Sequence, residues 1–492
     1  MRRWTGDLHK LVFTHVVLIG VPTLFYYCLR LGGMTLINVH MAIATFFLIS
    51  SLIIFVEATS ALCRRFSLES KQNGSHWLSQ FKRSAKSVMQ VDGYRMPPSN
   101  TPIPRCSFLV AAYLPNEQEI ILETVRHILY KVQRPAGGLE LILAYNTPID
   151  LPIEEDLRRL AQIHSELRLV RVDGSHSKAE NLNAALNIVT GEIACILDAD
   201  HLPAPDCFVR AWRWLEHDYH VVQGRNIIRN HDHDLLTQNI AIEFETLYGV
   251  SHAAKSFLSD TTIFGGSNGY WRTSVLKQIR FNPAMLTEDI DASMRTLLSG
   301  YKIVHDRSII TTELAPVDFH SFWFQRKRWA QGWLEVSFKY QRRVWKSKKF
   351  TLWQKCYWTY LLYFCVLYSL IALQILPLIL SLFLYQGELP PSDNPYLWFS
   401  TVVTFSSGIY QTLVTMKLAS GRYSAFYFIQ HAVLIFLYTI LKNMIAVVGL
   451  YDHLHGYNKW VVTPRSVGQK RSLLLRKAPV LAPTTAGVAS TK

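Results

Sequence analysis

The chain has 492 residues, 49% of them hydrophobic and 18% charged, and its 51 basic against 36 acidic side chains leave a formal charge of +15. That combination excludes a disordered chain, a collagen and a simple soluble basic protein. Apolar residues crowd into 11–57 and 356–450, so the middle reads as soluble and both ends as membrane. Residues 11–31 and 36–57 are each long enough, at about 1.5 Å per helical residue, to cross roughly 30 Å of hydrocarbon. They are read as a hairpin over 1–60. A cleavable signal peptide fits poorly, because the first apolar stretch is too long and no small-residue cleavage site follows it. Arg2, Arg3 and Lys10 precede the first span, and Arg64, Arg65, Lys71, Lys82, Arg83 and Lys86 follow the second, which puts both ends of the hairpin in the cytosol. On that orientation the acceptor sequence Asn73-Gly74-Ser75 stays free of glycan. Residues 61–104 form a cytosolic linker closed by Ser-Asn-Thr-Pro-Ile-Pro.

Four apolar, β-rich runs follow at 107–113, 139–145, 167–172 and 192–198, with helical patterns at 117–131, 154–165 and 178–190. The alternation predicts an α/β domain over 105–332 whose parallel sheet is covered on both faces. Ligands bind past the carboxyl ends of such strands, so the residues just after each run are the candidates. The seven scattered cysteines, without a C-x-x-C pair, suggest neither a disulfide framework nor a zinc site.

Four groups carry chemistry. Lys178 opens a helix in Ser177-Lys178-Ala179-Glu180-Asn181, where its charge opposes the helix dipole and so points to an anionic partner such as a diphosphate. An exposed surface lysine is the plain alternative. Asp198-Ala199-Asp200-His201 follows the fourth run, and carboxylates at i and i+2 can converge on one hard cation. Thr287-Glu288-Asp289 opens another helix. This is also ordinary helix-start chemistry, but Asp289 suits a general base for an acceptor hydroxyl. In Gln325-Arg326-Lys327-Arg328-Trp329, positions 325, 328 and 329 share a helix face, so amide and guanidinium can hold phosphate while the indole offers a flat plate to a sugar. The plain alternative is a juxtamembrane basic cluster.

The segment 333–355 reads as an amphipathic helix on the inner leaflet, with Trp333, Val336, Tyr340 and Val344 at helical spacing. Three spans follow within 356–456, at 356–386, 396–416 and 425–450, with the uncharged-to-acidic loop at 386–395 outside. Three crossings carry the C-terminus outside, yet the tail 457–492 is basic. The expected reconciliation is that 442–456 turns back or lies in the interface, leaving the tail cytosolic. Anionic lipid accounts for most of the net charge, so nucleic acid is not expected as a partner.

In this order, between apolar ends, the four groups resemble the processive family 2 glycosyltransferases: cellulose, hyaluronan and chitin synthases and type 3 capsular polysaccharide synthase. The likeness covers about 105–335. It implies a cytosolic α/β GT-A domain, the nucleotide-diphospho-sugar transferase fold, flanked by transmembrane helices in the plasma membrane. It implies inverting transfer from a nucleotide sugar, usually a uridine diphosphate sugar, to a growing polysaccharide of a cell wall, capsule or extracellular glycan, with export of the product. Carried over, Asp200 is the principal ligand of Mg²⁺ or Mn²⁺, with Asp198 close to metal and nucleotide. Lys178, Gln325, Arg326 and Arg328 hold the nucleotide or its diphosphate, and Glu117 belongs to the nucleotide loop. Asp289 is the base, beside Glu288; Trp329 supports the acceptor sugar; Phe264–Gly269, with Gly266 and Ser267 at its centre, lines its path. Trp460-Val-Val-Thr-Pro-Arg465 is similar to the gating loop of cellulose synthase. One departure is Ala144-Tyr145-Asn146-Thr147-Pro148, where many members carry an aspartate pair near the nucleoside; Asn146 keeps the hydrogen bonds but not the charge. The rival readings are a non-processive transferase acting on a lipid, and a transporter or receptor with a degenerate transferase-like domain. Sugar, linkage and any homo-oligomer are left open.

Overall fold

The structure, a computed structural model, describes residues 2–73, 99–385 and 394–457. The acidic loop at 386–393, the stretch 460–465 and residues 74–75 of the glycan acceptor sequence lie outside them.

The N-terminal hairpin is helical. α1 (Arg2–His15) runs through a π-helical turn at Val16–Gly20 into α2 (Val21–Leu31), and α3 (Ile37–Asn73) returns. The α/β domain then follows as β1 (Cys106–Tyr113), α4 (Leu114–Glu117), α5 (Ile121–Lys131), β2 (Leu139–Asn146), α6 (Ile153–Ile163), β3 (Leu167–Arg171), α7 (Lys178–Ile188), β4 (Ile193–Asp198) and β5 (Leu202–Pro203). It continues with α8 (Cys207–Leu215), β6 (Val221–Ile228), α9 (Leu235–Thr246), a π-helical turn (Leu247–Ser251), α10 (His252–Ser259), β7 (Gly269–Arg272), α11 (Thr273–Ile279), α12 (Glu288–Leu298), β8 (Ile303–Glu313) and α13 (Phe319–Lys346). All four expected runs are strands, and the helices expected between them are present.

The eight strands lie in the order β3-β2-β1-β4-β7-β6-β8-β5. Only the first half is the parallel sheet expected: β1 pairs in parallel with β2 and β4, and β2 with β3. β7 is antiparallel to both β4 and β6, β8 is parallel to β6, and β5 is antiparallel to β8. The second half escapes a reading by apolar runs because its strands bury polar side chains, Gln223, Arg225 and Asn226 on β6 and His305, Asp306 and Arg307 on β8. Alternation along β1 divides the core. Phe108 and Val110 face a layer with Leu141, Leu197 and Phe208, whereas Leu109 faces one with Ile142, Ile196 and Trp271. Each fully buried side chain of this size contributes about 2 kcal/mol.

α13 runs across the expected boundary at 332. The helix expected to begin at 333 is the second half of one continuous helix that also carries Gln325–Trp329. Val336, Tyr340 and Val344 are buried in the domain core, not turned toward lipid. Beyond it come α14 (Leu352–Leu373), α15 (Ile375–Tyr385), α16 (Pro395–Leu418) and α17 (Ala425–Leu454). Among the described residues, Gly6–Leu31, Ile37–Leu62, Leu367–Tyr385 and Ala425–Leu454 are long and apolar enough to cross a membrane.

α17 is unbroken, so 442–456 does not turn back. Instead the helix lies against the α/β domain at both ends. Gln430 donates to Gln238 at 2.9 Å and His431 lies 3.0 Å from Asn239, both on α9. Near its other end, Asp452 pairs with Lys327 of α13 at 2.8 Å and with Lys10 of α1 at 2.5 Å. Phe426, Ile429, Val433, Leu437 and Ile440 remain exposed along one stripe.

Candidate functional site

Lys178 is placed by a capping box. Ser177 Oγ accepts from the Glu180 N–H, and Glu180 accepts in return from the Ser177 N–H. The first turn of α7 is thereby fixed at the end of the sheet. Lys178 Nζ donates to the Gly266 carbonyl at 2.6 Å and pairs with Asp198, the last residue of β4. Burial would lower the Lys178 pKa, but Asp198, Glu288 and Asp289 outweigh it and raise it.

Asp200 is 1% exposed. Its Oδ2 accepts from the Leu314 N–H at 2.9 Å, and Oδ1 lies 3.1 Å from His201 Nδ1. His201 Nε2 reaches Glu313 at 2.7 Å. Burial pulls the imidazole pKa down, yet Glu313 and Asp200 lift it to about 9, which favours the protonated ring between the two carboxylates. Asp198, Asp200 and His201 offer ligand atoms within 4.8 Å of one another. The two carboxylates fit a hard, oxygen-preferring ion such as Mg²⁺ or Mn²⁺, while a protonated His201 fits better as the brace that aims Asp200.

Asp289 stands in the first turn of α12. Thr287 makes no side-chain cap bond there. Its methyl and hydroxyl instead fill the space over Gly332 of α13, where an added Cβ would come within 2.3 Å of Thr287 Cγ2. Asp289 Oδ1 accepts from the Ile290 N–H at 2.9 Å. Oδ2 faces Gly266, which has φ +88° and where a Cβ would sit 2.9 Å from that oxygen. Glycine at 266 is thus required by both backbone and contact. Burial first, then Glu288, pushes the Asp289 carboxyl up to about 7 against the pull of Lys178 and Arg328.

These groups surround one cavity of about 330 Å³. Every site residue expected from the sequence lines it except Arg326 and, from the segment 264–269, Phe264, Asn268 and Gly269: Glu117, Asn146, Lys178, Asp198, Asp200, Gly266, Ser267, Glu288, Asp289, Gln325, Arg328 and Trp329. Glu117 accepts from the Tyr113 N–H at 2.6 Å, which folds the loop after β1 back on itself. Asn146 donates to the Ser175 carbonyl at 2.9 Å and accepts from Asn181 at 2.8 Å. Arg328 donates to the Leu286 carbonyl at 3.2 Å, tying α13 to the loop before α12. Arg326, one helical step from Gln325, turns away from the cavity and pairs with Glu243 of α9 at 2.5 Å.

Sequence reasoning missed Glu313 and Leu314 at the end of β8, Asn226 on β6, and Phe244 and Tyr248 on the α9 side, all of which line the cavity. The available signal was Glu313 as an acid at a strand end, hidden because β8 does not read as an apolar run. Tyr248 lies on the π-helical turn, a local geometry common at functional sites.

Comparison with known proteins gives the family. The family described as glycosyl transferase family group 2 matches residues 193–446, more than half of the chain. The cellulose synthase 1 catalytic subunit (UDP-forming) of Komagataeibacter xylinus is 28% identical over 189 residues, 37% of this chain and 25% of its own. The probable glucomannan 4-beta-mannosyltransferase 1 of Arabidopsis thaliana is 25% identical over 301 residues, 58% of this chain and 51% of its own. The chain therefore spans a quarter to a half of these relatives. A mannosyltransferase, PcManGT from Pyrobaculum calidifontis in complex with GDP-Man and Mn2+, is similar with a TM-score of 0.44 at 19% identity, over 81% of this chain and 99% of that one. With an α/β domain flanked by apolar helices and polysaccharide synthases among its relatives, the chain belongs to glycosyl transferase family group 2.

Proposed function

We propose that the protein is a membrane-embedded, inverting, metal-dependent glycosyltransferase that extends a polysaccharide from a nucleotide sugar. The observation that carries this is the meeting of Asp198, Asp200, Asp289 and Trp329, distant in sequence, around one cavity. Asp198 and Asp200 would hold Mg²⁺ or Mn²⁺, which when bound supplies charge neutralisation for a departing diphosphate. Lys178 adds a cation on the same side, and Gln325 and Arg328 supply donors from α13. Glu117 and Asn146 at the ends of β1 and β2 form the nucleoside side of the cavity, with uridine as the expected base.

On this reading Asp289 takes the proton of the acceptor hydroxyl as its oxygen bonds to the anomeric carbon. The bond from that carbon to the diphosphate breaks in the same step, and the electron pair leaves with the diphosphate. A single displacement inverts the anomeric centre. A carboxyl titrating at about 7 is well matched to this task near neutral pH. Trp329 offers its ring to the acceptor sugar.

For the membrane, we propose four crossings, at 6–31, 37–62, 352–385 and 395–418, with α17 lying in the interface and the catalytic domain in the cytosol. α14 runs opposite to α3, with Tyr357 donating to Glu57 at 2.8 Å and Phe46 stacked 5.9 Å from Phe364. α16 runs beside α3 in the same direction, from Ser400 on the Ala44 carbonyl at 2.9 Å to Tyr410 on Thr59 at 2.9 Å. α17 is held at both ends by the domain, so its exposed stripe faces the leaflet instead of traversing it. An even count leaves both termini on one side, as the basic tail requires. The plasma membrane and export through the helices complete the proposal.

The deciding experiment supplies the purified protein with a panel of radiolabelled nucleotide sugars and sizes the product. A polymer with one linkage supports the reading. A single added sugar extracted into organic solvent supports the lipid acceptor, and no transfer from any donor removes the enzyme reading altogether.

A further inference from the structure

Arg326 lies in the motif expected to grip the donor, yet it is 6% exposed and outside the cavity wall. Its guanidinium carbon stands 4.3 Å from the centre of the Trp329 ring, the indole that does reach the cavity. A guanidinium stacked on one face of an indole fixes the ring's tilt and leaves the other face for a ligand. The guanidinium is itself held by Glu243, whose carboxylate also accepts from Tyr438 at 2.7 Å and Lys442 at 2.9 Å, both on α17. Burial would raise the Glu243 pKa, but Arg326 and Lys442 hold it at about 2, so the carboxylate stays charged. Phe244 and Phe322 close round the guanidinium at 5.9 and 5.1 Å.

From this stacking and ion pairing we propose that Glu243 and Arg326 are positioning residues for the acceptor: they act through Trp329, seat it against the acceptor sugar, and couple that seat to α17. The inference rests on the transferase reading and deepens it by assigning Arg326 to the acceptor end and not to the donor. An acceptor sugar whose platform tilts loses its in-line approach, while the donor beside Asp198 and Lys178 is untouched.

The test uses the full-length protein in detergent or nanodiscs with Arg326→Met, Arg326→Lys and Glu243→Gln. UDP binding is measured by calorimetry, UDP release by a coupled assay, and sugar incorporation by radiolabel. Arg326→Met is expected to bind UDP within about twofold of the parent while sugar incorporated per UDP released falls about tenfold, donor hydrolysis replacing transfer. Arg326→Lys, which keeps a cation over the ring, is expected to recover much of that ratio, and Glu243→Gln to shift it the same way as Arg326→Met. Melting curves identify a variant that fails to fold, in which case Glu243→Gln and Arg326→Lys decide. A tenfold loss of UDP affinity with an unchanged ratio overturns the proposal in favour of donor binding, and so does an unchanged ratio in all three variants. A parent protein that transfers from no sugar nucleotide refutes the functional reading itself, and this role with it.

Discussion

Asp289 is the residue on which the chemistry is most exposed to test. Buried beside Glu288, its carboxyl is pushed up to about 7, so the base form is filled only as pH rises through neutrality. Turnover is expected to fall about tenfold per pH unit below that value and to level off above it, and a pH–rate profile flat from pH 5 to 8 would contradict the assignment. Asp289→Asn keeps the shape and removes the base, with an expected loss of about 10²–10⁴-fold in turnover and little change in UDP affinity by calorimetry. Chelation should abolish transfer and Mg²⁺ or Mn²⁺ restore it, whereas Asp200→Ala should not be rescued at any ion concentration. The place of these residues in the cavity was legible in the sequence because the acid pair Asp198 and Asp200 closes an apolar strand and Asp289 stands at a helix start. Of the charged residues expected there, Arg326 alone does not line the cavity, for a physical reason. Motif adjacency places it next to Gln325, but one residue along a helix turns a side chain by about 100°, here out of the cavity and onto Glu243.

The joint between α12 and α13 sets how Asp289 stands relative to Trp329. Gly332 lets Thr287 pack directly on α13, and the buried Asp291 accepts from Lys339 at 2.7 Å and Tyr340 at 2.6 Å, with Arg295 at 2.7 Å on its other oxygen. Burial would raise the Asp291 pKa, but Lys339, Tyr340 and Arg295 bring it below the usual carboxylate range, so Asp291 stays ionised near neutral pH. Gly332→Ala removes a helix-weakening glycine yet forces its methyl into Thr287, and overpacking of about 1–3 kcal/mol should win. A lower melting temperature with reduced turnover is the expected result; an unchanged or higher one would show that the two helices can part freely. Asp291→Ala, which strands two cations and a hydroxyl, should cost about 3 kcal/mol by denaturant unfolding. The strands of the first half of the sheet were readable as apolar runs. β6 and β8 were not, because the buried side chains of Gln223, Arg225, His305 and Asp306 are carried by partners that only the folded chain supplies.

At the scale of the molecule, hydropathy marks α17 as able to cross a membrane, while its polar side chains Gln430, His431 and Asp452 bond to the α/β domain. A tag placed after Lys492 is expected to be shielded from external protease in intact cells and cleaved once they are opened. Cleavage in intact cells would mean that α17 traverses the bilayer. The basic charge of the tail predicts a cytosolic C-terminus; the chain alone could not show that 425–454 is a single straight helix, since its partners lie far away in sequence on α9 and α13.

α13 has one more consequence. Its inner face is shared between the sheet and α14, whose Trp358 and Leu362 belong to the same buried cluster as Ile303, Val336 and Tyr340. The apolar helices and the α/β domain therefore have no seam between them. A soluble fragment cut anywhere near the end of α13 would bare an oily flank where α14 had lain, and should precipitate without detergent even though every group that does chemistry is retained.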